Sequence, residues 1–160
     1  MYSKILLPLD GSDLAGQAIP HAVSLAKQTG AQIVLLEVID SEMQMIMQAS
    51  GASIEPIPIG QITAEIAHEA VEAQRKDAHA RLDAVKRAIE ALGVKDVSTV
   101  VREGQAGHEI VDAVEKLGCD VVVIATRGRS GIKRALLGSV ADHVVRHAST
   151  ASVLLVRAKA

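Results

Sequence analysis

At 160 residues the chain has the length of one domain, enough to bury roughly 70% of the surface its unfolded form would expose, and its net charge of -2 gives no overall pull toward nucleic acid or an anionic membrane. One tyrosine, with neither tryptophan nor phenylalanine, leaves no platform on which single-stranded bases could stack, and the lone Cys119 excludes an intrachain disulfide. No apolar run reaches membrane-spanning length, and in the opening MYSKILLPLDG the apolar run is short and Asp10 follows it too soon for a signal peptide, so a soluble, cytoplasmic protein is expected.

Taken in order, Ile5 to Leu9 reads as a buried strand that ends in the turn Asp10-Gly11-Ser12, where side chains bond their own backbone. Ser12 or Asp13 caps the first helix, whose Ala18, Ala22, Leu25 and Ala26 share a face up to the stop at Thr29-Gly30, with a bend expected at Pro20. Ile33 to Ile39 is the second strand. An irregular insert follows over about 41–60, broken by Gly51, Pro56, Pro58 and Gly60, in which Met43, Met45 and Met47 fill gaps or cover a ligand.

From Gln61 to Leu92, Ile62, Ile66, Ala70, Leu82, Val85, Ile89 and Leu92 recur at helical spacing, giving one long amphipathic helix or two abutting ones. Val97 to Val101 is the third strand, Gly104 to Gly107 a turn, and Glu109 to Leu117 a helix facing inward through Ile110, Val114 and Leu117. Val121 to Ile124 is a continuous β-branched run, as in a strand covered on both faces. A last helix carries Val140, Val144 and Ala148 inward, and Ser152 to Val156 is the fifth strand. This alternation predicts a parallel sheet with helices on both faces and a ligand crevice at the strand carboxyl ends.

Between the fourth strand and the last helix lies the stretch with the most chemistry. Gly128 and Gly131 loosen the backbone, Arg127, Arg129, Lys133 and Arg134 place four positive charges within eight residues, and Gly138 allows close approach before Ser139 caps the helix. Strand, basic loop and helix N-terminus in that order suit a phosphate, which free N–H groups and the helix dipole attract.

The spacing Ala125-x2-Gly128-x9-Gly138-Ser139 resembles the ATP-binding signature of the universal stress protein family, Gly-x2-Gly-x9-Gly-(Ser/Thr), with alanine in place of the first glycine. KILLPLDGS from Lys4 to Ser12 and IVLLEVID from Ile33 to Asp40 resemble the family's first two strands, so the resemblance spans nearly all of a single 1–160 domain. It implies a Rossmann-like five-stranded sheet of order 3-2-1-4-5, of the adenine nucleotide alpha hydrolase-like kind. It also implies ATP, with or without Mg, as ligand. The implied contacts are Pro8, Asp10, Val38 and Ile124 on one side, and Ala125, Arg127, Gly128, Gly138, Ser139 and Val140 on the other. Finally, it implies a homodimer formed through the C-terminal strand, whose apolar Ala151 to Val156 would lie at a sheet edge.

Each of these residues also has a purely structural reading. Asp10 serves either as a turn cap or as a partner for a ribose hydroxyl, an adenine amine or a metal, and Arg127 and Arg129 are either solvated charges or phosphate ligands. Val38 would be buried whatever it touches. Cys119 reads as a small buried apolar residue. His143 and His147 stand one helical turn apart, but without HExxH, and with His21, His68, His79 and His108 forming no ligand pattern, they read as helix-surface residues. No GxxxxGK[ST], GxGxxG or GxSxG occurs, so no dedicated catalyst is visible beyond slow ATP hydrolysis that Asp10 or Asp13 would assist. A regulatory nucleotide-binding module is therefore the first reading. The alternatives are a nucleotide-processing enzyme of the related fold, though its HxGH and SGGxDS motifs are missing, and a dimeric interaction protein without nucleotide.

Overall fold

A computed structural model describes residues 1–51, 64–127 and 138–159, excluding the side chains of 49–51 and 127. Five strands, β1 (Lys4–Pro8), β2 (Gln32–Ile39), β3 (Val97–Glu103), β4 (Val121–Arg127) and β5 (Ser152–Ala158), form one parallel sheet in the order β3-β2-β1-β4-β5. Along the inner strands, side chains alternate between two cores. Ile5, Leu7, Ile33, Leu35, Val121 and Val123 face one side, where they meet Ala22 and Ala26 of helix α2 (Ile19–Thr29) and Leu82 and Ile89 of helix α4 (Ala64–Ala91). Leu6, Val34, Leu36, Val122 and Ile124 face the other, where they meet Ile110 and Val114 of helix α5 (Ala106–Leu117) and Ala141 and Val144 of helix α6 (Ser139–His147). Apolar residues in unbroken runs are what burial on both faces demands.

Several local expectations change. The first helical stretch is broken rather than bent: α1 (Asp13–Gly16) ends before Pro20, which sits in the first turn of α2 where its missing N–H costs nothing. The supposed irregular insert begins as a helix, α3 (Glu42–Gly51). Its start is a capping box, in which Gln44 N–H donates to Ser41 Oγ at 3.3 Å and Ser41 N–H donates to Gln44 Oε1 at 2.8 Å. Met45 turns inward from it toward Val71 and Ala78, while Met43 and Met47 stay exposed. Pro56, Pro58, Gly60 and Ile62 lie outside the described residues.

The long helical stretch is a single helix, α4, whose buried stripe of Ala67, Val71, Ala78, Leu82 and Ile89 leaves Ile66 and Leu92 exposed. Helix α5 starts at Ala106, so Gly107 is helical rather than part of a turn. A Cβ on Gly107 would come within 3.0 Å of the His143 ring, so the glycine is what lets α5 and α6 approach.

Candidate functional site

Strands β1 and β4 pair only at Ile5 with Val121 and Leu6 with Val122, whereas β1–β2 and β4–β5 continue for five and seven pairs. Proline explains the early parting. Asp120 N–H donates to Lys4 O at 3.0 Å and Leu9 N–H donates to Leu36 O at 2.8 Å, so by alternation Leu6 and Pro8 present their backbone to β4. Pro8 has no N–H to give, and the ladder stops there. Beyond it the strands separate at the topological switch point and a cavity of about 420 Å³ opens across their carboxyl ends.

On the β1 side the cavity is rimmed by the Asp10 turn. Asp10 Oδ1 accepts from Ser12 N–H at 2.9 Å and from Ser12 Oγ–H at 2.5 Å, and Ser12 Oγ accepts from Ala15 N–H at 3.1 Å. Ser12, not Asp13, is thus the N-cap of α1. Asp10 performs the turn role with one oxygen, and Oδ2 bonds to no described residue. Gly11 takes φ 78°, the left-handed region that glycine tolerates best, and the Arg81 side chain passes beneath it, 3.1 Å from where a Cβ would stand. Arg81 in turn meets the buried Glu37 carboxylate at 2.5 Å, a hydrogen bond that raises its affinity for its proton. Sequence reasoning passes over this Arg81–Glu37 support because its partners lie 44 residues apart on different elements.

The β4 side is built differently. Gly138 is the N-cap of α6 and Ser139 its first helical residue, and no side chain among the described residues caps the helix, which differs from the expectation that Ser139 caps. The first-turn N–H groups therefore face the cavity mouth without an intrahelical partner. Gly138 has φ -58°, accessible to any residue, and no described atom lies within 4 Å of the place a Cβ would occupy, so nothing in the described protein demands a glycine. Ala125 packs its methyl against the α1–α2 side of the sheet, away from the start of α6.

The cavity thus gathers Pro8, Asp10, Val38, Ile124, Ala125, Gly138, Ser139 and Val140, together with Leu36, Ile110 and Thr126, which the sequence did not assign to the site. Gly128, Arg129, Gly131, Lys133, Arg134 and the Arg127 side chain lie outside the described residues. Away from the cavity, Cys119 is free and buried, and burial pushes its thiol up to about 11. The His143 ring stacks on that of His147 with centroids 4.2 Å apart and meets the ring of His108 of α5 at a tilt of 54°, 4.3 Å away. Burial, then the neighbouring His147 and His108, holds His143 below its usual value.

The model of the universal stress protein family matches residues 1–157. The chain belongs to that family. It is 34% identical over 148 residues to universal stress protein MJ0531 of Methanocaldococcus jannaschii, covering 92% of this chain and 78% of that protein. Among solved structures it is similar to MJ0577, at TM-score 0.77 and 27% identity over 100% of this chain and 99% of that one. Two more distant universal stress proteins share the fold. One is in complex with cAMP (TM-score 0.65, 19% identity, 99% and 98% covered), and the other, from Archaeoglobus fulgidus, is in complex with dAMP (0.60, 15%, 98% and 98%). As a universal stress protein, this chain carries the expected strand order, and no helix among its described residues is long and apolar enough to cross a membrane.

Proposed function

We propose that this universal stress protein is an adenine-nucleotide-binding regulatory module of the stress response and that ATP is its ligand. The observation that carries the reading is the cavity at the β1/β4 switch point, which joins the uncapped N-terminus of α6 to an apolar wall of Leu36, Val38, Ile110 and Ile124. Its volume of about 420 Å³ is in the range of small-molecule sites. Phosphates belong at the helix start, with the basic 127–134 segment next in the chain, and the free Asp10 oxygen accepts from the nucleoside end. The cAMP and dAMP complexes of proteins with this fold support an adenine ligand. Asp10 is the cavity's only carboxylate among the described residues, so any Mg would be held chiefly by the phosphates and water. The buried, unpaired Cys119 supports a cytoplasmic location.

Calorimetry with ATP tests the site. Gly138→Val should abolish binding while the fold persists, because the added side chain enters space at the cavity's edge that no described atom occupies. Ser139→Ala keeps the N–H and loses one hydroxyl bond to a charged group, so affinity should fall about 10- to 100-fold. Unchanged affinity in both folded variants would overturn the reading in favour of a nucleotide-free interaction protein.

A homodimer through β5 completes the proposal. β5 is a sheet edge, and Leu154, 40% exposed, stands on it as a large apolar side chain. Ser152 N–H donates to Asp120 O at 3.0 Å, so Leu154 N–H also points into the sheet and those of Val153 and Leu155 point to the open edge. Leu155→Pro, which removes an outward donor, and the milder Leu154→Lys should both yield monomers by light scattering. A wild-type monomer at high micromolar concentration would rule the dimer out.

A further inference from the structure

Thr126 is 7% exposed, yet its hydroxyl finds no hydrogen-bond partner, the sole such buried side-chain atom among the described residues. Buried hydroxyls are nearly always paired, because a donor removed from water and left idle destabilises the fold. The other buried polar side chain, Glu37, obeys that rule through Arg81. The exception stands in the cavity wall, at the carboxyl end of β4.

Alternation along β4 decides which chemistry the hydroxyl meets. Val121 and Val123 pack toward α2 and α4, and Ala125 toward the same side; Val122 and Ile124 pack toward α5 and α6, so Thr126 belongs to the α6 side. Ser139 and Val140, whose N–H groups open α6, line the same cavity. Asp10 and Ser12, the cavity's polar groups on the opposite rim, already bond each other. A hydroxyl beside the positive end of a helix dipole faces an environment that disfavours cations and favours an anionic acceptor. We propose that Thr126 is a ligand-binding residue whose hydroxyl donates to a phosphate oxygen of the nucleotide held at the start of α6. This rests on the nucleotide reading and assigns one further donor to it.

The idle hydroxyl makes a test with two opposite signs. Thr126→Val replaces the hydroxyl with a methyl. It should weaken ATP binding about 10-fold and leave adenosine binding unchanged, while raising the melting temperature of the ligand-free protein by about 2–4 °C. Thr126→Ser keeps the donor and should retain ATP affinity. A merely structural threonine would not separate the two readouts. Unchanged ATP affinity in Thr126→Val overturns the proposal while leaving the nucleotide reading intact, and so does an equal loss for adenosine, which would move the contact off the phosphates. A lower melting temperature together with weaker binding overturns it as well. Wild-type protein that fails to bind ATP fells the nucleotide reading first, and the Thr126 assignment with it.

Discussion

The two ends of the sheet treat their polar groups in opposite ways. At the amino end Asp120 accepts from Ser3 N–H at 2.8 Å, Ser3 Oγ–H at 2.6 Å and Lys4 N–H at 3.2 Å, tying β1 to the start of β4. Lys4 Nζ donates to Leu117 O at 2.9 Å and Gln32 Nε2 to Asp96 Oδ1 at 2.9 Å, so side chains also tie α5 and the start of β3 to that end. At the carboxyl end the ladder between β1 and β4 has already stopped, α6 begins without a side-chain cap from the described residues, and Thr126 keeps an unused hydroxyl. The amino end closes its hydrogen bonds on the chain itself, whereas at the carboxyl end only the Asp10 turn does so, and the start of α6 and the Thr126 hydroxyl are left open toward a cavity. The same sheet thus keeps the hydrogen bonds that stabilise it apart from the candidate site, so that the site can be varied at one end without loosening the other.

Breaking the closed end should produce the largest change in stability. Asp120→Ala removes three hydrogen bonds to a partly buried carboxylate and should lower the melting temperature by about 3–6 °C while ATP affinity stays within about twofold. A loss of affinity in step with stability would mean that the two ends are coupled.

Acid should weaken the same end. Burial acts to raise the Asp120 carboxyl, but the bonds from Ser3 and Lys4 outweigh it and hold the group below the ordinary carboxylate value. Its folded value lies below its unfolded one, so its contribution is full above the unfolded value, about 3.9, and is lost as pH falls through the folded value. In melts taken from pH 7 down to pH 3, wild type should therefore lose more of its melting temperature than Asp120→Asn, with the divergence confined to the acid limb. Parallel curves would remove Asp120 from the account.

The smallest effect is expected at the open end itself, from Ala125→Gly. The methyl packs away from α6, so restoring the family glycine should leave ATP affinity within about twofold, while the added backbone freedom in a strand should lower the melting temperature by about 2 °C. Tighter binding would show that the methyl crowds the nucleotide.

Much of this molecule is legible from residue order. Unbroken β-branched and leucine runs at Ile5, Ile33 and Val121 mark doubly covered strands, because such strands have no solvated face on which to place a polar residue. The turn at Asp10 and the glycine-serine pair at Gly138 mark the two rims for similarly local reasons: a carboxylate that bonds its own backbone, and a helix that starts beside a small residue. Less legible are features whose cause is a partner far along the chain. Helix α3 escapes the pattern because its capping box is brief and its interior is weakly periodic. Gly107 reads as a turn glycine, and its reason is the His143 ring on another helix.

Sequence by itself therefore determined the strands and the parallel sheet, since hydrophobic period and local turn chemistry act within a few residues, and its motifs carried the resemblance to the family. Tertiary structure decided the rest. It showed that Pro8 ends the ladder to β4 and opens the cavity, that Arg81 reaches Glu37 and steadies the Asp10 turn from below, and that Thr126 is buried without a partner. Those outcomes depend on which backbone edge, charge or void lies opposite a residue. That is fixed only when distant segments pack together.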